Sequence, residues 1–198
     1  MDYTRREFLQ ATGVAAASGA GALSAAGASG ASGAAKPSEL CFTSARELAA
    51  MIRRRQVSAR EVMVAHLAQI NRVNPRLNAI VAKLDDPACL ALADQADQRM
   101  ARGEAVGPLH GLPTAIKDLE PTVGFPNTRG SPIYRFNLPK EDSLIVARIR
   151  AAGALLIGKT NVPEFGLGSH SYNKVYGTTL NPYDPSRSAG RSSGGAAV

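Results

Sequence analysis

The stretch Ser143-Leu-Ile-Val-Ala-Arg-Ile-Arg-Ala-Ala-Gly-Ala-Leu-Leu-Ile-Gly-Lys-Thr-Asn161 holds the plan of the fold in small. Ser143 opens a helix that runs to Ala152, and Gly153 stops it, because glycine takes the left-handed conformation that ends helices at little cost. Ala154-Leu-Leu-Ile157 has the length and apolar character of a buried strand. Gly158-Lys-Thr-Asn161 is then expected to turn into a short helix around Pro163. A helix passing directly into a buried strand is a unit of the layered α/β proteins.

The same stretch contains a nucleotide motif that should be rejected. Gly153-Ala-Leu-Leu-Ile-Gly158-Lys159-Thr160 matches the phosphate-loop pattern G-x-x-x-x-G-K-[ST] letter for letter. Its mechanism needs a strand before the first glycine and a flexible loop whose amides curl round the phosphates. Here a helix precedes Gly153, and Ala-Leu-Leu-Ile want to be the strand themselves. Asn161-Val-Pro163 interrupts the helix that should follow. No nucleotide is expected.

Working outward, Ser44-Ala-Arg-Glu47 and Ser58-Ala-Arg-Glu61 are both capping boxes. The first helix carries Leu48, Met51 and Ile52 on one face and ends in the basic cluster Arg53-Arg54-Arg55, which suits a helix C-terminus. The second places Val62, Leu67, Ile70 and Val73 on one face and is expected to stop before Pro75. Leu77-Asn-Ala-Ile-Val-Ala82 reads as a strand, and a third helix is expected from Asp86-Pro87, with Leu90, Ala93 and Ala96 inward. After Gly103 come the turn Gly107-Pro-Leu-His-Gly-Leu-Pro113, a short strand Thr114-Ala-Ile116 and a loop over 121–140. From Gly166 onward nearly everything is loop. Helices and strands in alternation predict an α/β fold with a layered sheet flanked by helices.

Composition bounds the function. Hydrophobic residues make up 44% and charged residues 20%, which excludes wholesale disorder. Lys and Arg number 23 against 16 Asp and Glu, a surplus of +7. The basic residues are scattered apart from Arg53–Arg55, so a solvated surface is expected rather than a nucleic-acid partner. Two cysteines exclude a disulfide scaffold and a four-cysteine zinc site. Without a run of 18 strongly apolar residues, no membrane-spanning helix is expected.

Residues 1–35 read as an address. Arg5-Arg6-Glu-Phe8-Leu9 is followed by an uncharged Ala/Gly/Ser stretch from Ala11 to Ala35, holding six of the 19 glycines. That layout fits a twin-arginine export signal, with Ala26-Gly27-Ala28 as a cleavage site. The expected partner is the twin-arginine export machinery, and the expected location is periplasmic or extracellular. Glu39-Leu40 before Cys41 speaks against a lipid anchor, so no stable membrane anchor is expected. A Cys41–Cys89 disulfide is permitted outside the cytoplasm, but two buried thiols are the expectation.

Chemistry has three candidate places. His66 sits in a helix, while His110 and His170 lie in Gly-rich loops where they could position a substrate; their spacing suggests no metal. A Gly-x-Ser-x-Gly elbow is missing. Lys117 ends the apolar run from Leu112. Burial there would lower its pKa and let a neutral amine act as a general base, although an exposed lysine paired with Asp118 is also open. Ser192-Ser193-Gly194-Gly195 reads either as a Ser/Gly linker or as a loop that approaches a ligand closely, with a helix beginning at Ala196-Ala197.

Taken together these pieces resemble the amidase signature family, serine hydrolases that use Ser-Ser-Lys in place of Ser-His-Asp. The matching pieces are Gly107-Pro-Leu-His-Gly-Leu-Pro113, Ala115-Ile-Lys-Asp118, Gly158-Lys-Thr-Asn161 with Pro163-Glu-Phe165, Gly177 with Asn181-Pro182, and Ser192-Ser-Gly-Gly195. They occur in the family's order, and the helices before residue 100 look like its N-terminal region.

The resemblance implies the amidase signature fold, incomplete in this chain, with residues 36–198 as the N-terminal part of the domain. It implies that Lys117 is the base, that Ser192 bridges it to the nucleophile after an unusual cis peptide bond, and that Ser193 supports them by hydrogen bonding. The family usually has Gly-Gly before the paired serines, where this chain has Gly190-Arg191. Its nucleophilic serine lies in a Gly-Gly-Ser loop roughly two dozen residues after the bridging serine, in a loop whose amides form the oxyanion hole; no nucleophile is therefore expected within residues 1–198. A small-molecule amide is the implied substrate, with no metal or organic cofactor, and the 198 residues alone are expected to be inactive. The rivals are the glutamine-dependent amidotransferase component that amidates mischarged transfer RNA, and a non-catalytic truncated binding protein.

Overall fold

The computed structural model describes residues 37–198. The expected export signal in residues 1–35 lies outside the described residues. In chain order the helices are α1 (Pro37–Leu40), α2 (Ala45–Arg53), α3 (Ala59–Leu77), α4 (Asp86–Ala101), α5 (Leu144–Ala151) and α6 (Gly194–Ala197). The strands are β1 (Ile80–Lys83), β2 (Pro113–Lys117), β3 (Leu155–Thr160), β4 (Tyr172–Asn173) and β5 (Gly177–Thr178), with single 3-10 turns at Pro132–Tyr134 and Glu164–Gly166.

Helix starts fall where their caps put them. The Ser58 hydroxyl accepts from the Glu61 amide while the Glu61 carboxylate accepts from the Ser58 amide, a reciprocal box. Ser44 caps α2 through the Glu47 amide, and Asp85 rather than Asp86 caps α4 through the Ala88 amide. One expected helix end is corrected. Helix α3 runs through Pro75 to Leu77 and ends at Asn78, which takes a left-handed φ of 53°. Proline forfeits a single amide bond in that last turn, and Asn74 ties the exit by accepting from the Ala79 and Ile80 amides and donating to the Ile80 carbonyl.

The central sheet is mixed, in the order β1-β3-β2, with β1 antiparallel and β2 parallel to β3. Strand alternation sends successive β3 side chains to opposite faces. Ile157 packs with Ala59, Met63, Leu67, Cys89 and Ala93 of α3 and α4, whereas Leu156 packs with Ile116, Phe125 and Val146 on the α5 side. Each such side chain contributes roughly 1.5–3 kcal/mol on burial. The result is a layered mixed sheet flanked by helices, as the sequence predicts.

Strand β3 is longer than expected. Gly158-Lys159-Thr160 continues the strand instead of turning, because β1 and β2 pair with those residues on either side. A Cβ at Gly158 would lie 2.6 Å from the Ala82 carbonyl oxygen, so glycine is what lets β1 close on β3. The phosphate-loop lookalike is thus mostly extended strand, with no loop to cradle a phosphate.

The cysteines lie in different clusters and are not bonded to one another. Cys89 is buried as expected, whereas Cys41 is only half-buried, on the rim of the α1–α3 cluster, and donates to the Ala65 carbonyl at 3.2 Å. No helix among the described residues is long and apolar enough to cross a membrane.

Candidate active site

Strand β2 carries Lys117 to the C-terminal edge of its parallel pair with β3, level with Thr160. Ligands of open α/β sheets gather at such carboxyl ends. Ile116 is buried in the core, and alternation turns Lys117 the other way, into a half-buried position. Its Nζ donates to Ser192 Oγ at 3.2 Å and to Ser193 Oγ at 3.0 Å. Burial pushes the Lys117 ammonium below its ordinary value, because water that would solvate the charge is displaced. The structure therefore brings all three predicted site residues together across 75 positions of chain.

The serines reach Lys117 on a sharp turn. Gly190 (φ 69°) and Arg191 (φ 59°) are both left-handed, and α6 begins immediately after Ser193. This replaces the expected cis peptide bond: all peptide bonds are trans among the described residues. A cis bond without proline costs about 3–4 kcal/mol, and two successive left-handed residues redirect the chain without it. Helix α6 lies against β2, and the fit depends on Gly195. A Cβ there would be 2.5 Å from the Asn161 amide nitrogen and 2.8 Å from the Ala79 carbonyl oxygen.

Asp118 does not pair with Lys117. It is fully buried and turned away, accepting from the Thr128 amide at 3.1 Å and from the Thr128 hydroxyl. Its Oδ1 lies 4.0 Å from Nζ of Lys159, also fully buried, which donates to the Glu120 carbonyl and to Thr122 Oγ1 at 3.0 Å. Desolvation pushes Asp118 up and Lys159 down to about 8, each against the attraction of the other. At that separation burial outweighs the pairing.

The histidines do other work. Buried His110 bonds the Ala96 carbonyl through Nε2, and His66 bonds the Val62 carbonyl one turn back in α3. Exposed His170 has its Nδ1 2.9 Å from Ser188 Oγ. Among the described residues no cluster of three or more His, Cys, Asp or Glu is placed to hold a metal.

Sequence reasoning missed a polar frame behind the serines. Asn161 donates to the Gly177 carbonyl and to Thr179 Oγ1, and its Oδ1 accepts from Asn173 at 2.7 Å. Buried Ser171 bonds the backbone of the serine turn itself. The signal for Asn161 was its place in the matched piece Gly158-Lys-Thr-Asn161; Ser171 carried none.

The sequence profile of the Amidase family matches residues 61–198. Among curated proteins, the chain is 46% identical over 161 residues to a glutamyl-tRNA(Gln) amidotransferase component of Acidothermus cellulolyticus, covering 81% of this chain and 32% of that one. It is 43% identical over 153 residues to the indoleacetamide hydrolase of Bradyrhizobium diazoefficiens, covering 77% of this chain and 29% of that protein. Among solved structures, the peptide amidase of Stenotrophomonas maltophilia superposes with a TM-score of 0.72 at 30% identity, covering 82% of this chain and 34% of that chain. The chain spans about a third of the length of the relatives it matches.

Proposed function

This chain belongs to the Amidase family, and on that premise we propose that it contributes the base and the proton relay of an amidase hydrolysing a carboxamide C–N bond through an acyl-enzyme. The observation that carries this reading is the Lys117 amine within hydrogen-bond reach of both Ser192 and Ser193, at 3.2 and 3.0 Å. Burial favours the neutral amine, and in that form Nζ can accept a proton from Ser192. A serine outside residues 1–198 attacks the carbonyl, and its proton passes through Ser192 to Lys117. Ser192 then returns a proton to the departing ammonia or amine, and water releases the acid. Ser193 holds the amine in place. The substrate is a small-molecule amide.

Residues 1–198 by themselves are proposed not to turn over. Loss of an oxyanion-hole donor alone costs on the order of 100- to 1000-fold in rate, and without a nucleophilic serine no acyl-enzyme forms. The whole gene product is the material for the test, by ammonia release from a panel of carboxamides. Lys117→Ala and Ser192→Ala are each expected to lower kcat by roughly 100- to 10,000-fold with KM little changed. Either variant keeping full activity would refute the assigned role.

A second reading follows from the 46% identity to a glutamyl-tRNA(Gln) amidotransferase component, in which the chain acts in amidating mischarged transfer RNA. We propose instead that residues 1–35 direct export to the periplasm or beyond, away from charged tRNA. A reporter fused to residues 1–40 is expected to leave the cytoplasm; its retention would favour the amidotransferase reading.

A further inference from the structure

We propose that Ser171 is a positioning residue of this site: its buried hydroxyl clamps both ends of the serine turn and so sets where Ser192 and Ser193 meet Lys117. The inference rests on the reading of Lys117 as the base.

Ser171 is fully buried just ahead of β4. Its Oγ donates to the Arg191 carbonyl at 3.1 Å and accepts from the Gly194 amide at 2.8 Å. Those two groups are the carbonyl before Ser192 and the amide after Ser193, so one hydroxyl spans the pair. Among the described residues no other side chain hydrogen-bonds the backbone of residues 190–195.

The turn needs holding. Arg191 sits at φ 59°, a conformation L-residues adopt at a penalty, and such a turn persists only where its surroundings impose it. Gly194 makes the clamp possible, since a Cβ there would lie 2.9 Å from Ser171 Oγ. The clamp is itself anchored. The Ser171 carbonyl accepts from the Thr179 amide at 2.9 Å, and the Thr179 carbonyl accepts from the Ala189 amide at 2.8 Å. Thr179 Oγ1 donates to the Asn78 carbonyl at 2.7 Å and accepts from Asn161 at 3.0 Å. A continuous frame thus runs from the ends of α3 and β3 to the serines.

Ser192 is 3.2 Å from Nζ, at the outer edge of useful proton-transfer distance. Displacing the turn by less than an ångström would break the relay. A hydroxyl both donates and accepts, so Ser171→Ala removes both bonds in one step.

The test is competitive acetylation of the whole gene product with limiting acetic anhydride across pH, read by peptide mass spectrometry, with an added lysine-containing model peptide as reference. In the unaltered protein Lys117 should become reactive at lower pH than the model peptide. In Ser171→Ala its midpoint should shift up towards that of the peptide, because the released turn lets water back to the amine. If the alanine chain does not fold, Ser171→Cys keeps the packing while weakening both bonds, and it should shift in the same direction. A midpoint unchanged in the folded variant overturns the role of Ser171 and leaves the base reading intact. Lys117 titrating with the model peptide in the unaltered protein overturns the base reading itself.

Discussion

Burial pushes the Lys159 ammonium down to about 8 in the folded chain, against 10.5 for an ordinary lysine. Between those values the unfolded chain binds more protons, so stability should rise as pH increases from about 8 to 10.5. Below pH 8 both forms are charged, and the burial penalty is constant. Asp118 acts at the acid end: its raised pKa makes the folded chain hold the proton longer, so its contribution falls as pH climbs past 3.8. Tyr176, raised by burial, opposes the lysine in the alkaline range. Comparison with Lys159→Met therefore isolates the lysine. The change in urea midpoint between pH 8 and pH 10 should be more positive in the unaltered chain than in Lys159→Met. Equal changes would mean that Lys159 titrates normally. Lys117, by contrast, has no carboxylate in ion-pair reach among the described residues, which is why its reach to two serines reads as chemistry and the Asp118–Lys159 pair as framework.

At the scale of elements, α6 delivers the serines only because Gly194 and Gly195 let it press against Ser171, Asn161 and the residue leaving α3. Gly195→Ala should push α6 off that seat, destabilising the chain by about 1–3 kcal/mol. The same change should lower kcat of the whole gene product while leaving α3 and α4 folded, measured by urea unfolding and steady-state rates. Unchanged values for both would show that α6 has slack. Legibility divides along the same line. The capping box at Ser58, the one-way cap at Ser44, the stop at Gly153 and the apolar run at Ala154–Ile157 are local signals, and each put one end of its element within a residue or two of its place. Pro75 misled because its penalty falls in a final turn that Asn74 repairs through bonds to residues further on. Gly158–Thr160 misled because strand pairing on both sides overrode turn-forming residues. The site's three residues were legible only through a combined pattern of motifs. Ser171, Thr179 and the Asp118–Lys159 contact depend on hydrogen bonds and packing between distant segments, which no window of sequence contains.

At the scale of the whole molecule, a mixed three-stranded sheet with α3 and α4 on one face and α5 on the other carries Lys117 and its serines at one sheet end. The chain matches about a third of the length of its relatives. The proposal gives the base and the relay to the described residues and looks for the nucleophilic serine and the oxyanion donors in the whole gene product. The most direct measurement is to sequence the gene through and beyond the codon for Val198. The account predicts an open frame carrying a Gly-Gly-Ser loop roughly two dozen residues after Ser192. A stop codon directly after Val198 would contradict covalent amide hydrolysis by this product.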